Sequence, residues 1–135
     1  MFQNSTKIRV RYGETDQMGY MYYGNYAQFY EVGRVEMLRS LGLTYSAMEL
    51  SGIKMPVLEL KCSYLKPALY DEEITVNVIM DKMPGVRIHF RYELFNEKAE
   101  LINTGETLLV FINMQTNRPC KAPQDFIDKL KPFFK

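Results

Sequence analysis

A carboxylate that lies a few residues ahead of a predicted helix start is the feature of this chain that most suggests chemistry. Asp16 stands in the polar turn of residues 14–19, and a helical pattern begins after Asn25. A helix start offers unpaired backbone N–H donors and a partial positive charge. These can hold a carbonyl oxygen that gains negative charge while a carboxylate attacks the carbonyl carbon or activates water. Asp16 is therefore a candidate catalytic residue for acyl transfer, and its alternative role is to cap its own turn.

A long helix and a short strand are predicted to position this turn. Apolar residues recur at spacings of three and four between Tyr26 and Leu41, which indicates one buried helix face. Asn25 is a suitable N-cap and Gly42 a suitable C-terminal stop, so the helix is expected to run between them. Ahead of the turn, apolar and polar residues alternate over residues 7–12, and this period predicts a half-buried strand.

Strands dominate the rest of the chain. Apolar and alternating patterns predict strands at residues 58–64, 74–80, 86–94 and 101–114. Two short patterns predict helices at residues 44–50 and 123–130. Gly105 is interpreted as a bulge in the last strand. Strands joined by short turns pair antiparallel, and one helix on one face of such a sheet gives an α+β fold. One helix can cover only part of the apolar face of a five-stranded sheet, so self-association is expected.

Composition narrows the class of protein. With 47% hydrophobic and 24% charged residues, the chain is expected to fold as a single domain over residues 1–135. The formal net charge is +1 without a basic stripe, so no nucleic-acid partner is predicted. The absence of a long apolar run or signal peptide predicts a cytoplasmic protein without a membrane partner. Cys62, Cys120 and His89 lack metal-ligand spacing, so no metal site is predicted.

The segment of residues 11–26 resembles the start of hotdog-fold acyl-CoA thioesterases, and is most similar to their 4-hydroxybenzoyl-CoA thioesterase-like branch. The shared pattern is an aspartate, two further residues, a glycine, an aromatic pair, an asparagine and a tyrosine that opens the helix. In this chain these positions are Asp16, Gly19, Tyr22, Tyr23, Asn25 and Tyr26. The likeness extends over roughly residues 7–113, nearly the whole domain.

The resemblance implies a hotdog fold, in which a five-stranded antiparallel sheet wraps around one long central helix. It also implies a homodimer, often paired again into a homotetramer, with active sites at the subunit interface. The implied reaction is hydrolysis of an acyl-CoA to a free acid and CoA, with no metal or organic cofactor. Asp16 matches the family's catalytic aspartate, as nucleophile or general base. Tyr23 matches the residue whose backbone N–H holds the thioester carbonyl. Much of the wider family has a histidine at this position, directly after the aromatic residue, where this chain has Tyr23.

Substrate contacts are expected from Gly19, Tyr22 and Tyr26. These residues and the neighbouring methionines and tyrosines suit either an apolar acyl pocket or a dimer core. Glu31 lies three residues before Arg34 on the helix, a spacing that favours an ion pair. Because another hotdog branch takes its carboxylate from the central helix, Glu31 is also a candidate site residue.

Two other functions fit the same residues. One is a thioesterase that acts on acyl groups attached to a carrier protein, and the other is a catalytically silent acyl-CoA binding module. Glu14, two residues before Asp16, is interpreted as a solvated side chain.

Overall fold

A computed structural model describes residues 1–134, and within them five antiparallel strands form one sheet that packs against a long helix. In chain order the elements are β1 (Phe2–Arg9), α1 (Tyr26–Ser40), α2 (Tyr45–Leu50), β2 (Ile53–Lys54), β3 (Val57–Tyr64), β4 (Glu73–Met80), β5 (Arg87–Phe95), β6 (Leu101–Val110), β7 (Ile112–Asn113), β8 (Arg118–Pro119) and α3 (Gln124–Leu130). The strand order of the main sheet is β1-β4-β5-β6-β3, and β2, β7 and β8 form a small second sheet. The predicted α+β class is confirmed. None of the described helices is long and apolar enough to cross a membrane.

The long helix forms where the apolar periodicity predicted it. Its buried face consists of Tyr26, Phe29, Tyr30, Gly33, Arg34, Met37 and Leu38. Gly42 follows the helix with a φ of +79°, a backbone conformation that glycine adopts without strain. Strong local signals at both the apolar face and the C-terminal stop explain why this element was predictable.

The first strand lies earlier in the chain than predicted. It spans Phe2–Arg9 rather than residues 7–12, and it pairs with β4 from Phe2 opposite Met80 to Arg9 opposite Glu73. Tyr12, expected in the strand, instead begins a short 3₁₀ turn and is 77% exposed. Pairing with a strand distant in sequence determines these limits, so the local alternation was an incomplete guide.

The helix approaches the sheet closely at two glycines. A Cβ added to Gly33 of α1 would lie 2.7 Å from a side-chain atom of Val78 on β4. A Cβ added to Gly105 of β6 would overlap the Tyr30 ring. Tyr30 in turn lies flat against Tyr92 of β5, with ring centroids 4.2 Å apart and an interplanar angle of 8°. The missing side chains therefore let α1 lie close to the sheet.

The prediction of a bulge at Gly105 is wrong. Gly105 pairs in regular register with Cys62 on one side and Tyr92 on the other. The register shifts lie elsewhere, between Val57 and Glu59 and between Leu94 and Phe95. Glycine is needed at this position for helix packing. The predicted strand of residues 101–114 also divides, because β6 ends at Val110 and β7 belongs to the second sheet.

Replacing Gly105 by alanine is expected to lower the free energy of unfolding by about 1–3 kcal/mol, because the added methyl group overpacks the contact with Tyr30. Urea unfolding measures this change. Gly85→Ala is the matched control, since a Cβ there has no heavy atom of the described residues within 4 Å. That control is expected to change stability by about 0.5 kcal/mol or less. Parental stability in the Gly105→Ala variant would contradict the close packing.

Candidate active site

Asp16 begins a tight turn that its own side chain stabilises. The Asp16 amide donates to the Tyr20 carbonyl at 2.8 Å, and the Gly19 amide donates to the Asp16 carbonyl at 3.1 Å. Asp16 Oδ1 accepts from the Met18 amide at 2.9 Å. Gly19 has a φ of +81°, which suits the last residue of a three-residue hairpin loop. The capping role that was the alternative for Asp16 is therefore present.

Capping occupies one oxygen of the Asp16 carboxylate and leaves the other available. Oδ1 takes the Met18 amide and, at 3.4 Å, the Tyr20 amide. Oδ2 makes no hydrogen bond within residues 1–134. The turn therefore fixes the carboxylate while one oxygen stays free to act on a substrate or a water molecule.

Glu14 ties the Asp16 turn to the start of α1. Its carbonyl accepts from the Tyr22 amide and from Asn25 Nδ2, each at 2.8 Å. Its carboxylate accepts from the Arg11 amide at 2.8 Å, and the residue is only 7% exposed. The interpretation of Glu14 as solvated is thus wrong, because its side chain folds back to close the 3₁₀ turn. A glutamate three residues after the N-cap position, here Arg11, is half of a capping box, a signal that could have shown this.

Further backbone contacts hold the Asp16 turn against the segment that follows β3. The Met21 amide donates to the Ala68 carbonyl at 2.7 Å. Isolated bridges join Thr15 to Met21 and Tyr20 to Leu69. The turn is therefore a small hairpin attached to the segment between β3 and β4.

Tyr23 begins a single 3₁₀ turn immediately before α1. In the part of the chain that the structure describes, its amide donates to no acceptor. The Tyr23 side chain is 63% exposed, and its ring packs on Tyr22 with centroids 4.6 Å apart. Asn25 occupies the predicted N-cap position, although its side chain bonds Glu14 instead of capping the helix. The Tyr23 N–H is thus an available donor at the positive end of α1.

Asp16 and Tyr23 line the same cavity, which has a volume of about 300 Å³. We call it the acyl cavity. Its other lining residues are Met18, Tyr20, Met21, Tyr26, Tyr64, Leu65, Lys66 and Pro67. The last four follow or end β3, and three of them, Tyr64, Leu65 and Pro67, were not predicted as site residues. Their signal was weak, since apolar residues at a strand's end are equally typical of a core.

The remaining predicted site residues lie outside the acyl cavity. Gly19 lines a second cavity, of about 640 Å³, to which Asp16 also contributes. The Tyr22 ring packs against the Tyr23 ring and lies next to Gly24. Glu31 is an exposed residue of α1 and lines neither cavity in the described part of the chain.

The ion pair expected between Glu31 and Arg34 is not formed. Arg34 is buried, and its Nη1 donates to the Tyr92 hydroxyl at 2.9 Å. That hydroxyl also bonds Thr107 Oγ1 at 2.5 Å. Arg34 faces the sheet while Glu31 faces outward, so their helical spacing does not bring them together.

Comparison with known proteins identifies the family to which this chain belongs. Residues 10–130 match the model of the family described as the Thioesterase-like superfamily, and the chain therefore belongs to that family. YneP of Bacillus subtilis is 33% identical over 128 residues, which cover 95% of this chain and 93% of YneP. The acyl-CoA thioester hydrolase YbgC of Escherichia coli is 27% identical over 124 residues, which cover 92% of each chain.

A solved structure confirms the fold. The crystal structure of a DHNA-CoA thioesterase from Staphylococcus aureus has a TM-score of 0.92 and 38% identity, and covers 98% of this chain and 91% of that chain. The resemblance to hotdog thioesterases and the assignment to the thioester hydrolases are both confirmed.

The capping geometry predicts different stabilities for two Asp16 variants. Asp16→Asn keeps an oxygen that accepts from Met18, so we expect the parental free energy of unfolding. Asp16→Ala removes that acceptor and should cost about 1 kcal/mol. Thermal and urea unfolding of both variants measure the difference. An equal loss in both would show that the negative charge, and not the oxygen acceptor, stabilises the turn.

Proposed function

We propose that this protein hydrolyses acyl-CoA thioesters to a free carboxylic acid and CoA. The observation that carries the proposal is that Asp16 and Tyr23 line one largely apolar cavity, and that the Tyr23 amide donates to no acceptor among the described residues. A thioester carbonyl needs a nucleophile or base on one side and a donor to its oxygen on the other. Membership of the Thioesterase-like superfamily supports the same reaction.

The Tyr23 N–H donates to the thioester oxygen as negative charge develops on it, aided by the positive end of the 15-residue helix α1. Asp16 can then act in either of two ways. As a nucleophile, its free oxygen attacks the carbonyl carbon and expels CoA thiolate, and water then hydrolyses the mixed anhydride. As a general base, Asp16 removes a proton from water, which attacks the carbonyl directly, and the proton passes to the leaving sulfur. Both routes yield the acid and CoA.

The size and lining of the acyl cavity favour a compact acyl group. Its volume of about 300 Å³ suits the acyl portion and leaves the nucleotide of CoA outside. Four tyrosines, Tyr20, Tyr23, Tyr26 and Tyr64, contribute to its walls. Aromatic walls stack well on a flat ring. Since a relative is named as a DHNA-CoA thioesterase, aromatic esters of this type are the first candidates.

We infer that a second copy of the chain borders the site. β3 is an edge strand of the main sheet, and Val57, Leu58, Leu60 and Tyr64 on it are 45–51% exposed. Such an apolar edge is suited to pairing with another strand. Because Tyr64 ends β3 and lines the acyl cavity, strand pairing of two copies would place the partner next to the cavity. A dimer or a tetramer built from such dimers fits this arrangement.

Release of free thiol from a panel of aromatic and aliphatic CoA esters, with DHNA-CoA included, tests the reaction. Asp16→Asn and Asp16→Ala are both expected to lower kcat by about 10²-fold or more. Because Asn keeps the turn acceptor, a loss in that variant reports the missing carboxylate. Asp81→Asn is the matched control and should retain parental turnover, since Asp81 pairs with Arg91 away from the acyl cavity. Parental turnover by Asp16→Asn would remove Asp16 from the mechanism.

The same assay separates the alternatives. If the parent turns over no CoA ester, matching acyl groups on a carrier protein test the carrier-specific thioesterase. Tight binding of an ester that stays intact for hours would indicate a silent binding module.

The proposed dimer makes a separate prediction. Leu60→Lys places a charge on the apolar edge and should weaken dimerisation tenfold or more, equivalent to about 1.4 kcal/mol. Sedimentation equilibrium measures the dissociation constant. Leu50→Lys is the control, because Leu50 is 90% exposed at the end of α2. A parent that sediments as a monomer at all concentrations would contradict the dimer.

A further inference from the structure

Tyr64 reaches the site from a distant part of the sequence. It is the last residue of β3, opposite Asn103 of β6. Its ring meets Tyr26 edge-on, with centroids 5.1 Å apart at 77°, and meets Tyr23 at 6.4 Å and 86°. The same side chain lines the acyl cavity. A residue of the edge strand thus lies directly over the start of α1.

The Tyr64 hydroxyl makes a specific contact with the main chain. It donates to the Tyr23 carbonyl at 3.2 Å, across 41 residues of sequence. Its interaction with the Cys62 side chain, ahead of burial, raises the pKa of Tyr64 to about 12. The phenol therefore keeps its proton near neutral pH and remains a donor.

Other contacts hold the neighbours of Tyr23 more firmly than Tyr23 itself. The Tyr22 amide and the Asn25 side chain both bond the Glu14 carbonyl. Tyr23 lies between them, with an exposed side chain and an amide without an acceptor in residues 1–134. The Tyr23 carbonyl shares a planar peptide unit with the Gly24 N–H, so a hydrogen bond to that carbonyl restricts the ψ rotation of Tyr23. With the Tyr22 amide held on the other side, this leaves the Tyr23 N–H less freedom to reorient.

We propose that Tyr64 is a positioning residue whose hydroxyl holds the Tyr23 main chain so that the Tyr23 N–H points at the thioester oxygen. Tyr64 has this role only if the protein hydrolyses thioesters as proposed above. The alternative is that Tyr64 serves only as an aromatic wall of the cavity. Phenylalanine would serve equally well as a wall, so Tyr64→Phe separates the two roles.

Steady-state kinetics on the best CoA ester give the first test. Loss of one neutral hydrogen bond that orients the donor should lower kcat of Tyr64→Phe roughly 3- to 10-fold, with KM within about twofold of the parent. Tyr70→Phe is the matched control with parental kcat, because Tyr70 lies outside the acyl cavity and its exposed hydroxyl has no hydrogen-bond partner among the described residues. Parental kcat in Tyr64→Phe would overturn the proposal, as would an equal loss in Tyr70→Phe.

An NMR measurement tests the contact without turnover. Only Tyr12–Gly13 and Tyr23–Gly24 join a tyrosine to a following glycine in this chain. Protein labelled with ¹³C-carbonyl tyrosine and ¹⁵N-glycine therefore gives two cross-peaks that report the Tyr12 and Tyr23 carbonyls. Tyr64→Phe should move the Tyr23–Gly24 peak and leave the Tyr12–Gly13 peak in place.

Unmoved peaks, or equal movement of both, would overturn the proposed hydrogen bond. A parent that hydrolyses no thioester would contradict the proposed function in the kinetic assay. The spectrum would still decide whether Tyr64 holds the Tyr23 carbonyl, so the two failures are distinguishable.

Discussion

The close approach of α1 to the sheet is the constraint on which the site depends. Tyr30 lies over Gly105 and flat against Tyr92, and its hydroxyl donates to the buried Asn103 side chain. A side chain at position 105 would push the helix away from β6. Because the Tyr23 amide stands just before this helix, its position relative to the Asp16 turn follows from how α1 is held.

Apolar packing alone would leave α1 free to adjust its rotation, and polar contacts restrict it. Arg34 donates to the Tyr92 hydroxyl, which also bonds Thr107. Buried polar groups need partners, so only arrangements that keep these bonds are favourable. At the N-terminal end, the Glu14 carbonyl accepts from Tyr22 and Asn25 and joins the helix to the hairpin that carries Asp16. Asp16 and the Tyr23 amide are therefore held in place relative to one another by short-range contacts.

The parts of the fold that were predictable carry their own local signals. The apolar face of α1 and Gly42 determine that helix from its own residues, and alternation located the main strands. The errors have nonlocal causes. The limits of β1 depend on its pairing with β4. The glycine at position 105 is required because the Tyr30 ring of α1 lies against it, and not because its own strand has a bulge there. Glu14 was misjudged because its charged side chain folds back and accepts a backbone hydrogen bond that closes the turn. Tyr64 was missed because its contact with Tyr23 spans 41 residues.

The residues proposed to carry out the reaction have local sequence signals, whereas many of the residues proposed to select the acyl group do not. The proposed chemical groups, Asp16 and the Tyr23 amide, belong to one short segment whose turn and helix start are readable from the sequence. A large part of the acyl cavity wall comes from the end of β3, which lies beside that segment only in the folded protein. β3 is also the edge strand that is proposed to meet a second copy. If the proposed site and dimer are correct, substitutions near Tyr64 alter the accepted acyl group and the subunit contact together. The hairpin and the helix start meanwhile keep the arrangement on which the proposed hydrolysis relies.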